Sequence, residues 1–510
     1  MDKIIKNLNL IFTGLLFMIP LTINIGVLNI NEFHAIILSF LLIIAYLTLF
    51  AGHVFSVSKK FIFYCGIFFL FILTLFMTAA VNGRITLSIA PVMNFLLILI
   101  LFIYFYFFIQ KADYQFLFSV ISVASVIFSI VGIIQLCGIN LPAINYTSRP
   151  GSFLSDRTFA AEYVTLTLPF LIFHFLKSDK KKILNLFMLF ISAAYLFSLR
   201  TRSAYISILI FIGILFFTQK EKRKLLLVTV ILLIGISFSF INFPNFEKDR
   251  SNPLTSFDKY SKVRYEPNVS RLFYIDASVN IFLEKPLTGV GTGSWAGFFG
   301  KYHGDEISDR YINENSAINP HNEFLHFLSE NGIAGLILFA FISFTPIINV
   351  KKNTPFFLAL IAFIFISLVS FPTENFSLMT IVAFSFAAAF PKDKILNKQK
   401  FVFIFLILIT AVITVFCGIR INSEKKYIDA INSKSVGRYK DMIQKLESIN
   451  TAIYPVDPNK MPLAFYKGVG YFQTGDFPKA YDYFSEASEL MPYTAQILNN
   501  KAVSLIALGR

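Results

Sequence analysis

Two arginines and one histidine are placed so that they could act together on a phosphate-containing substrate. Arg202 and His321 each stand where an apolar run begins, and Arg271 opens a helical-looking segment between them. A guanidinium stays charged and can hold a phosphate through two parallel hydrogen bonds. An imidazole, whose ordinary pKa is about 6.5, can take a proton from an attacking hydroxyl. These residue types indicate transfer of a group, such as a glycosyl group, from a diphosphate whose departing charge the cations stabilise.

The same residues also have ordinary structural interpretations. A lone histidine at a helix start is more often a cap or a packing residue, and Pro320 before His321 suits such a start. The five-residue step from His321 to His326 is not a helical metal-ligand spacing, unlike an i, i+4 pair. No Asp-x-Asp motif lies in the segments that we place on the outer face. We therefore expect neither a metal nor another cofactor.

The composition is that of a protein that crosses a membrane many times. Hydrophobic residues make up 56% of the chain, with 62 phenylalanines, against an ordinary apolar share of about 45–50%. Apolar runs near the ~20-residue length of a bilayer span recur along most of it. The predicted fold is therefore all-α and polytopic, with about 12–13 spans. The spans begin near Leu8, Phe33, Phe61, Ser88, Gln115, Thr158, Ile183, Ser203, Leu225, Asn322, Pro355, Glu374 and Phe401.

The positive charges indicate orientation, not binding of nucleic acid. The net charge of +15 comes largely from lysine clusters in alternate loops, such as those at 177–182, 220–224 and 392–400. Cytoplasmic loops collect Lys and Arg, so we place these clusters and the N-terminus inside. The short loops on the other face contain no lysine but hold arginines, which either pair with headgroups, cap helix ends or bind substrate. These arginines are Arg84, Arg149, Arg157, Arg200 and Arg202; we favour a structural role for Arg84 and a functional one for Arg202.

The same alternation of inner and outer loops places the long polar loop at residues 243–321 on the outer face. Within it, no strand precedes Gly289 and Gly291 as one would in a dinucleotide site, so we predict a tight turn whose backbone N–H groups face an anion.

We divide the chain into a membrane domain at 1–420 and a helical tail at 421–510. In the tail, tetratricopeptide-like spacing predicts a module that could bind a protein partner. That spacing is carried by Gly468, Tyr471, Gly475, Ala480, Phe484, Ala487 and Pro492.

Several of these segments resemble one known family. Arg271, Pro286-Leu287-Thr288-Gly289-Val290-Gly291, Pro320-His321-Asn322-Glu323 and Glu330-Asn331-Gly332 occur in the order found in the O-antigen ligase and polymerase superfamily. The resemblance implies metal-independent, inverting transfer of a glycan from undecaprenyl diphosphate on the periplasmic side of a bacterial inner membrane. It further implies that Arg202 and Arg271 bind the diphosphate and that His321 activates the acceptor. Supporting roles would fall to Arg149, Arg157, Arg200, Asn322, Glu323, Gly289 and Gly291.

Three activities of that superfamily differ only in their acceptor. A ligase transfers to lipid A–core, a polymerase to another lipid-linked repeat, and a protein oligosaccharyltransferase to Ser or Thr. We favour the ligase. A transporter is the alternative from another class, although transporters more often place charged residues or broken helices near the middle of the membrane. A scaffold that recruits an assembly complex through its tail is the third interpretation.

Overall fold

The computed structural model describes residues 2–23, 28–50, 57–110, 115–139, 141, 151–177, 182–241, 267–302, 318–390 and 400–509. Within these ranges the chain is almost entirely helical and contains no β-strand. The helices are α1 (Asp2–Leu16), α2 (Ile30–Phe50), α3 (Lys59–Val81), α4 (Ile85–Ile109), α5 (Gln115–Leu136), α6 (Arg157–Lys177), α7 (Lys182–Ser198), α8 (Arg202–Thr218), α9 (Lys222–Ser237), α10 (Pro267–Glu284), α11 (Trp295–Phe299), α12 (Glu323–Asn349), α13 (Pro355–Ser367), α14 (Phe376–Ala387), α15 (Lys400–Ser435), α16 (Tyr439–Glu447), α17 (Leu463–Gln473), α18 (Phe477–Leu490) and α19 (Ala495–Ala507).

The prediction of an all-α, polytopic membrane protein is confirmed. Seven helices among the described residues are long and apolar enough to cross a bilayer, namely α2 to α6, α12 and α15. Five shorter apolar helices, α1, α7, α8, α13 and α14, pack with them. The predicted count of thirteen also includes α9, whose first turn carries Lys222, Arg223 and Lys224.

The apolar side chains divide between the inside of the bundle and its surface. Phe61, Phe71 and Phe102 are buried between helices, whereas Phe63 and Phe217 are exposed. Lipid tails are as apolar as these side chains, so outward-facing phenylalanines carry no penalty in a bilayer. Some polar groups inside the bundle form hydrogen bonds between helices, as where the Tyr64 hydroxyl donates to a carbonyl of α12 (2.7 Å). Such bonds fix α12, the helix that carries the candidate site, against α3.

The chain reversals that the charge pattern assigns to the outer face meet at one end of the bundle. After α3, the Asn82 side chain accepts from Lys285 Nζ (2.8 Å) and donates to the carbonyl of Gly289 (3.2 Å). Between α13 and α14, Phe371 packs against His321, with ring centroids 5.1 Å apart. We call this end, formed by residues 82–84, 267–302, 318–322 and 368–375, the outer end.

The C-terminal helices pack onto the outer end. α15 runs without a break past the predicted domain boundary at residue 420 to Ser435. Further on, the Tyr493 N–H donates to the carbonyl of Gly297 in α11 (3.1 Å). Arg84 donates to the carbonyl of Glu489 (3.3 Å) and lies over the ring of Phe298 (4.8 Å). These contacts give Arg84 the structural role that the sequence favours.

Within the tail, α17 and α18 pack closely where a small residue meets an aromatic one. A Cβ at Gly468 would lie 2.7 Å from the Phe484 ring, so the absence of a side chain permits the approach. Ala480 and Ala487 are buried beside them. The tail therefore contains the predicted helix pair, and its assignment as a tetratricopeptide repeat stays a prediction.

Candidate active site

α12 begins with a side-chain cap that fixes His321 at its entrance. Asn322 is the N-cap: its Oδ1 accepts the Leu325 N–H (3.1 Å) and its Nδ2 donates to the Leu368 carbonyl (3.0 Å). His321, immediately before it, has a φ of 51°. A left-handed backbone is uncommon for a residue with a side chain and persists only where the surroundings enforce it. The cap and this backbone together set the direction in which the imidazole leaves the chain.

The imidazole of His321 lies between two aromatic rings. It stacks on Tyr274 of α10, with ring centroids 5.9 Å apart and planes at 21°, and meets Phe371 edge-on. Burial, together with the positive charge of Arg271, lowers the pKa of His321 to about 4, and the Asp156 carboxylate opposes the shift. The ring is therefore neutral at pH 7 and able to accept a proton, as a general base must be.

Arg271 lies one helical turn before Tyr274 on α10, and its guanidinium is close enough to His321 for its charge to lower the pKa of the imidazole. Although Arg271 remains accessible from outside, the surrounding protein lowers its pKa by desolvation, and Tyr274 and Glu162 oppose that effect. A guanidinium keeps its charge at pH 7 despite such shifts. The structure thus brings together two of the three residues on which the sequence argument depends.

The other predicted arginines that the structure describes lie at helix starts or in loops on the same side of the bundle. Arg202 is the first residue of α8, and its side chain is exposed. Arg200 has a φ of 52° and donates to the carbonyl of Ile241 after α9 (3.0 Å), so it holds two chain reversals together. Arg157 is the first residue of α6. Arg149 lies outside the described residues.

Glu323 supports the start of α12 from inside the bundle. Its buried carboxylate accepts hydrogen bonds from the Thr373 N–H (2.9 Å) and from the Thr373 hydroxyl. Thr373 lies two residues after Phe371, which contacts His321. The carboxylate therefore joins the entrance of α12 to the α13–α14 connection, and both sides of the histidine site are held by one residue.

The glycine-rich turn inserts into an interruption of α12. Gly332 has a φ of 65° and a ψ of −164°, so the helix breaks there, and this conformation is essentially restricted to glycine. Backbone groups of the turn replace the missing helical bonds: the Gly291 N–H donates to the Glu330 carbonyl (2.9 Å), and Pro286 accepts the Ile333 N–H (2.9 Å). Gly289, with a φ of 58°, lies so close that a Cβ would come 2.3 Å from Glu330.

The anion that this turn faces in the structure is a side chain of the protein itself. The Glu330 carboxylate accepts the N–H groups of Gly293 and Trp295, each at 2.8 Å. His326 Nε2 lies 3.3 Å from the same carboxylate. This buried pair was not predicted, because only the spacing of His326 from His321 was considered. The i, i+4 spacing of His326 and Glu330 on one helix face was the available signal.

No group of three or more His, Cys, Asp or Glu residues able to hold a metal occurs within the described ranges. The chemistry that the site offers is that of a neutral imidazole, a guanidinium and buried carboxylates that hold the helix entrance. This set can accept a proton and stabilise an anion at neighbouring positions.

The chain is similar to one protein family over the part that carries this site. A family model described as O-antigen ligase matches residues 187–340, from α7 to the middle of α12. The match includes Arg202, Arg271 and His321, and it supports a ligase-type or polymerase-type function in a multi-pass membrane protein. No curated protein matches the chain.

Proposed function

We propose that the protein transfers a glycan from undecaprenyl diphosphate to a hydroxyl of an acceptor at the periplasmic face of the bacterial inner membrane. His321 acts as the general base, and Arg202 and Arg271 bind the diphosphate. The observation that carries this proposal is the environment of His321: a neutral imidazole, held by Tyr274 and Phe371, beside an accessible guanidinium. The similarity to O-antigen ligases over residues 187–340 supports the same chemistry.

The reaction is a single displacement. The acceptor oxygen attacks the anomeric carbon, the bond from that carbon to the diphosphate oxygen breaks, and the diphosphate leaves with the electron pair. His321 takes the acceptor proton, and the arginines stabilise the charge on the leaving group. Attack from the face opposite the diphosphate inverts the anomeric configuration. Arg200, Asn322 and Glu323 position these groups through the contacts described above, and we assign Arg157, at the start of α6, a supporting role.

The acceptor that we favour is lipid A–core, which makes the protein a ligase. The test is a transfer assay with the purified full-length protein and a glycan linked to undecaprenyl diphosphate. Lipid A–core, lipid-linked repeats and a Ser- or Thr-containing protein acceptor are offered separately. Product on lipid A–core supports the ligase, whereas lengthened lipid-linked glycan would make the protein a polymerase, and modified protein would make it an oligosaccharyltransferase.

A transporter is the second candidate because one observation favours it. The interruption of α12 at Gly332 is the kind of helix break that transporters place around a substrate. The glycine-rich turn, however, fills this interruption with hydrogen bonds from the protein. Absence of product with every acceptor, combined with loss of glycan export in cells lacking the protein, would favour the transporter.

The pH dependence of transfer should reveal the lowered pKa of His321. Because the base must be neutral, kcat/KM should rise with pH through about 4 and be level above about pH 5. A bound diphosphate neutralises Arg271, one cause of the lowered pKa, so the acid limb of kcat should lie at higher pH than that of kcat/KM. Initial rates between pH 3.5 and 8 give both profiles.

Reversible inactivation must be separated from denaturation in that experiment. A sample held at each acid pH and returned to pH 7 should recover full activity. A limb of kcat/KM near the ordinary value of about 6.5 would show that His321 is not desolvated in the free enzyme.

Chelating agents should leave the transfer rate unchanged. The proposed mechanism uses a histidine base and arginine cations, so it needs no metal to stabilise the diphosphate. The rate after dialysis against EDTA, compared with a sample dialysed against buffer alone, checks this. Inhibition that added Mg²⁺ or Mn²⁺ reverses would contradict the metal-independent mechanism.

A further inference from the structure

A cavity of about 150 Å³ lies between the bundle and the tail, on the inner side of the α12 entrance. One water needs about 10–15 Å³ of such volume, so the cavity has room for a small organic group. From the bundle it is lined by Asn94 of α4, nine residues or about 14 Å beyond the start of that helix. The tail forms its opposite wall with Tyr454, Val456, Asp457, Pro458 and Lys460.

The cavity adjoins the candidate active site. Its lining includes Ile318, three residues before His321, and Thr373, which is bonded to the Glu323 carboxylate at the entrance of α12. The tail wall is held in place: Arg420 of α15 pairs with Glu32 (2.6 Å) and donates to the carbonyl of Ile453 (2.6 Å). The tail is thus a fixed wall beside the histidine.

Several polar side chains on the lining have no partner among the described residues. The Asn94 amide, within a membrane-spanning helix, forms no hydrogen bond there. Asn31 Oδ1 is buried and unpaired, and Glu374 and Lys460 form no ion pair in the described chain. An amide inside an apolar bundle is expected to find a hydrogen-bond partner. These groups therefore point to a ligand that supplies both donors and acceptors.

The charges on the lining exclude a phosphate as that ligand. Glu32, Glu330, Glu374 and Asp457 outnumber the basic residues, of which Arg420 is already paired with Glu32 and His326 with Glu330. The Asp457 carboxylate is occupied by two tyrosine hydroxyls and two backbone N–H groups. What remains free is two amides, one carboxylate and one ammonium, which together are neutral.

A sugar ring matches this lining. Its hydroxyls both donate and accept, as the free amides and the carboxylate require. Its apolar face can lie against aromatic rings, which Phe95, Phe327, Phe376 and Tyr454 provide on the same lining. Pockets with an apolar lining and a few convergent polar groups are the usual form of small-molecule sites.

We propose that this cavity is a sugar-binding subsite, built jointly by the bundle and the tail, that holds a sugar unit of a glycan substrate next to His321. The proposal rests on the proposed function and assigns the tail a part in substrate binding. The sugar unit belongs either to the donor glycan or to the acceptor glycan. Both sources offer the same hydroxyl-rich, uncharged chemistry, and the kinetic experiment separates them.

The test uses the full-length protein in lipid nanodiscs and two substitutions. Asn94→Leu replaces the free amide with an apolar side chain of similar size, suited to a membrane helix, and Glu374→Gln removes the free charge with little change in size. Asn499→Ala, on an exposed position of α19, is the matched control. We expect Asn94→Leu to raise one KM at least fivefold with kcat changed less than twofold, Glu374→Gln to raise the same KM, and the control to match wild type.

The substrate whose KM rises identifies the source of the sugar. A rise for the donor places a donor sugar in the cavity, and a rise for the acceptor places an acceptor sugar there; both support the proposal. If Asn94→Leu is folded, as judged by an unchanged thermal melting profile, and leaves both KM values within twofold of wild type, the subsite is rejected.

A binding measurement keeps this test independent of catalysis. The probe is the oligosaccharide released by mild acid from the host's lipid-linked glycan, observed by saturation-transfer difference NMR with the protein in excess lipid. Signals with wild type and with Asn499→Ala that disappear with Asn94→Leu support the subsite. Equal signals from all three proteins, or none from wild type, overturn it. Binding without any transfer by wild type would reject the proposed function alone.

Discussion

Replacing His321 by alanine should abolish transfer while leaving the protein folded. General-base catalysis by a positioned side chain contributes about 10²–10⁴-fold, so we expect kcat to fall by at least about a hundredfold. The residue is only partly buried and its imidazole packs on Tyr274 and Phe371, so its loss leaves a small gap at the outer end. The measurement is the initial transfer rate of purified variant and wild type at saturating donor.

Two comparisons show whether the loss of transfer comes from the missing general base. His174→Ala removes a histidine in the last turn of α6, away from the outer end, and this variant should transfer at the wild-type rate. The dissociation constant of the donor for His321→Ala should also stay near that of wild type, because the arginines are assigned to the diphosphate. Near-normal transfer by a well-folded His321→Ala protein would remove the histidine from the mechanism, and a scaffold or transporter would then explain the chain better.

Arg271→Lys should lose most activity although the positive charge is kept. Lysine presents a single ammonium where arginine presents a planar fork with two parallel donors, so the two-point grip on a phosphate is lost. Removing one preorganised donor to a developing oxyanion costs about 10²–10³ in kcat in other enzymes. We expect a fall of about a hundredfold in kcat/KM for the donor. Steady-state kinetics with varied donor concentration measure it.

The matched control is Arg223→Lys at the start of α9, an exposed position that the charge pattern assigns to the opposite face. It should transfer like wild type. In Arg271→Lys, the acid limb of kcat/KM should still lie near pH 4 because a positive charge beside His321 is retained. Wild-type kinetics in Arg271→Lys would show that the guanidinium does not contact the diphosphate, and Arg202 would remain the only cation assigned to it.

Much of the membrane architecture could be predicted from local properties of the sequence. The length and polarity of apolar runs predict membrane helices because transfer of a segment into a bilayer depends on the segment's own composition. The start of α12 also depends only on residues close in sequence. Asn322 accepts the N–H of the residue three positions later, so a short stretch of sequence is enough to predict the cap. The resemblance named His321 and Arg271, which the structure places beside a common tyrosine.

Other features could not be predicted because they depend on contacts between distant segments. The break of α12 at Gly332 is stable only because the turn at 286–293 supplies the missing hydrogen bonds. The N–H groups of Gly293 and Trp295 face Glu330, more than thirty residues away, and not an external anion. From the sequence, the tail was a separate recruitment module; the structure packs it against α11.

The sequence by itself determined that this chain is a helical membrane protein with arginines and a histidine collected on one face. Hydrophobic transfer, charge distribution and helix capping act over a few residues, so they can be derived from neighbours along the chain. Only the tertiary structure decided that His321 is neutral at pH 7, because desolvation and the field of Arg271 come from the packing of α10 against α12. It also decided that the tail closes a cavity beside the site, because the part of the bundle wall at residues 29–32 and 90–95 lies more than 300 residues from the tail wall in sequence and meets it only in the folded protein.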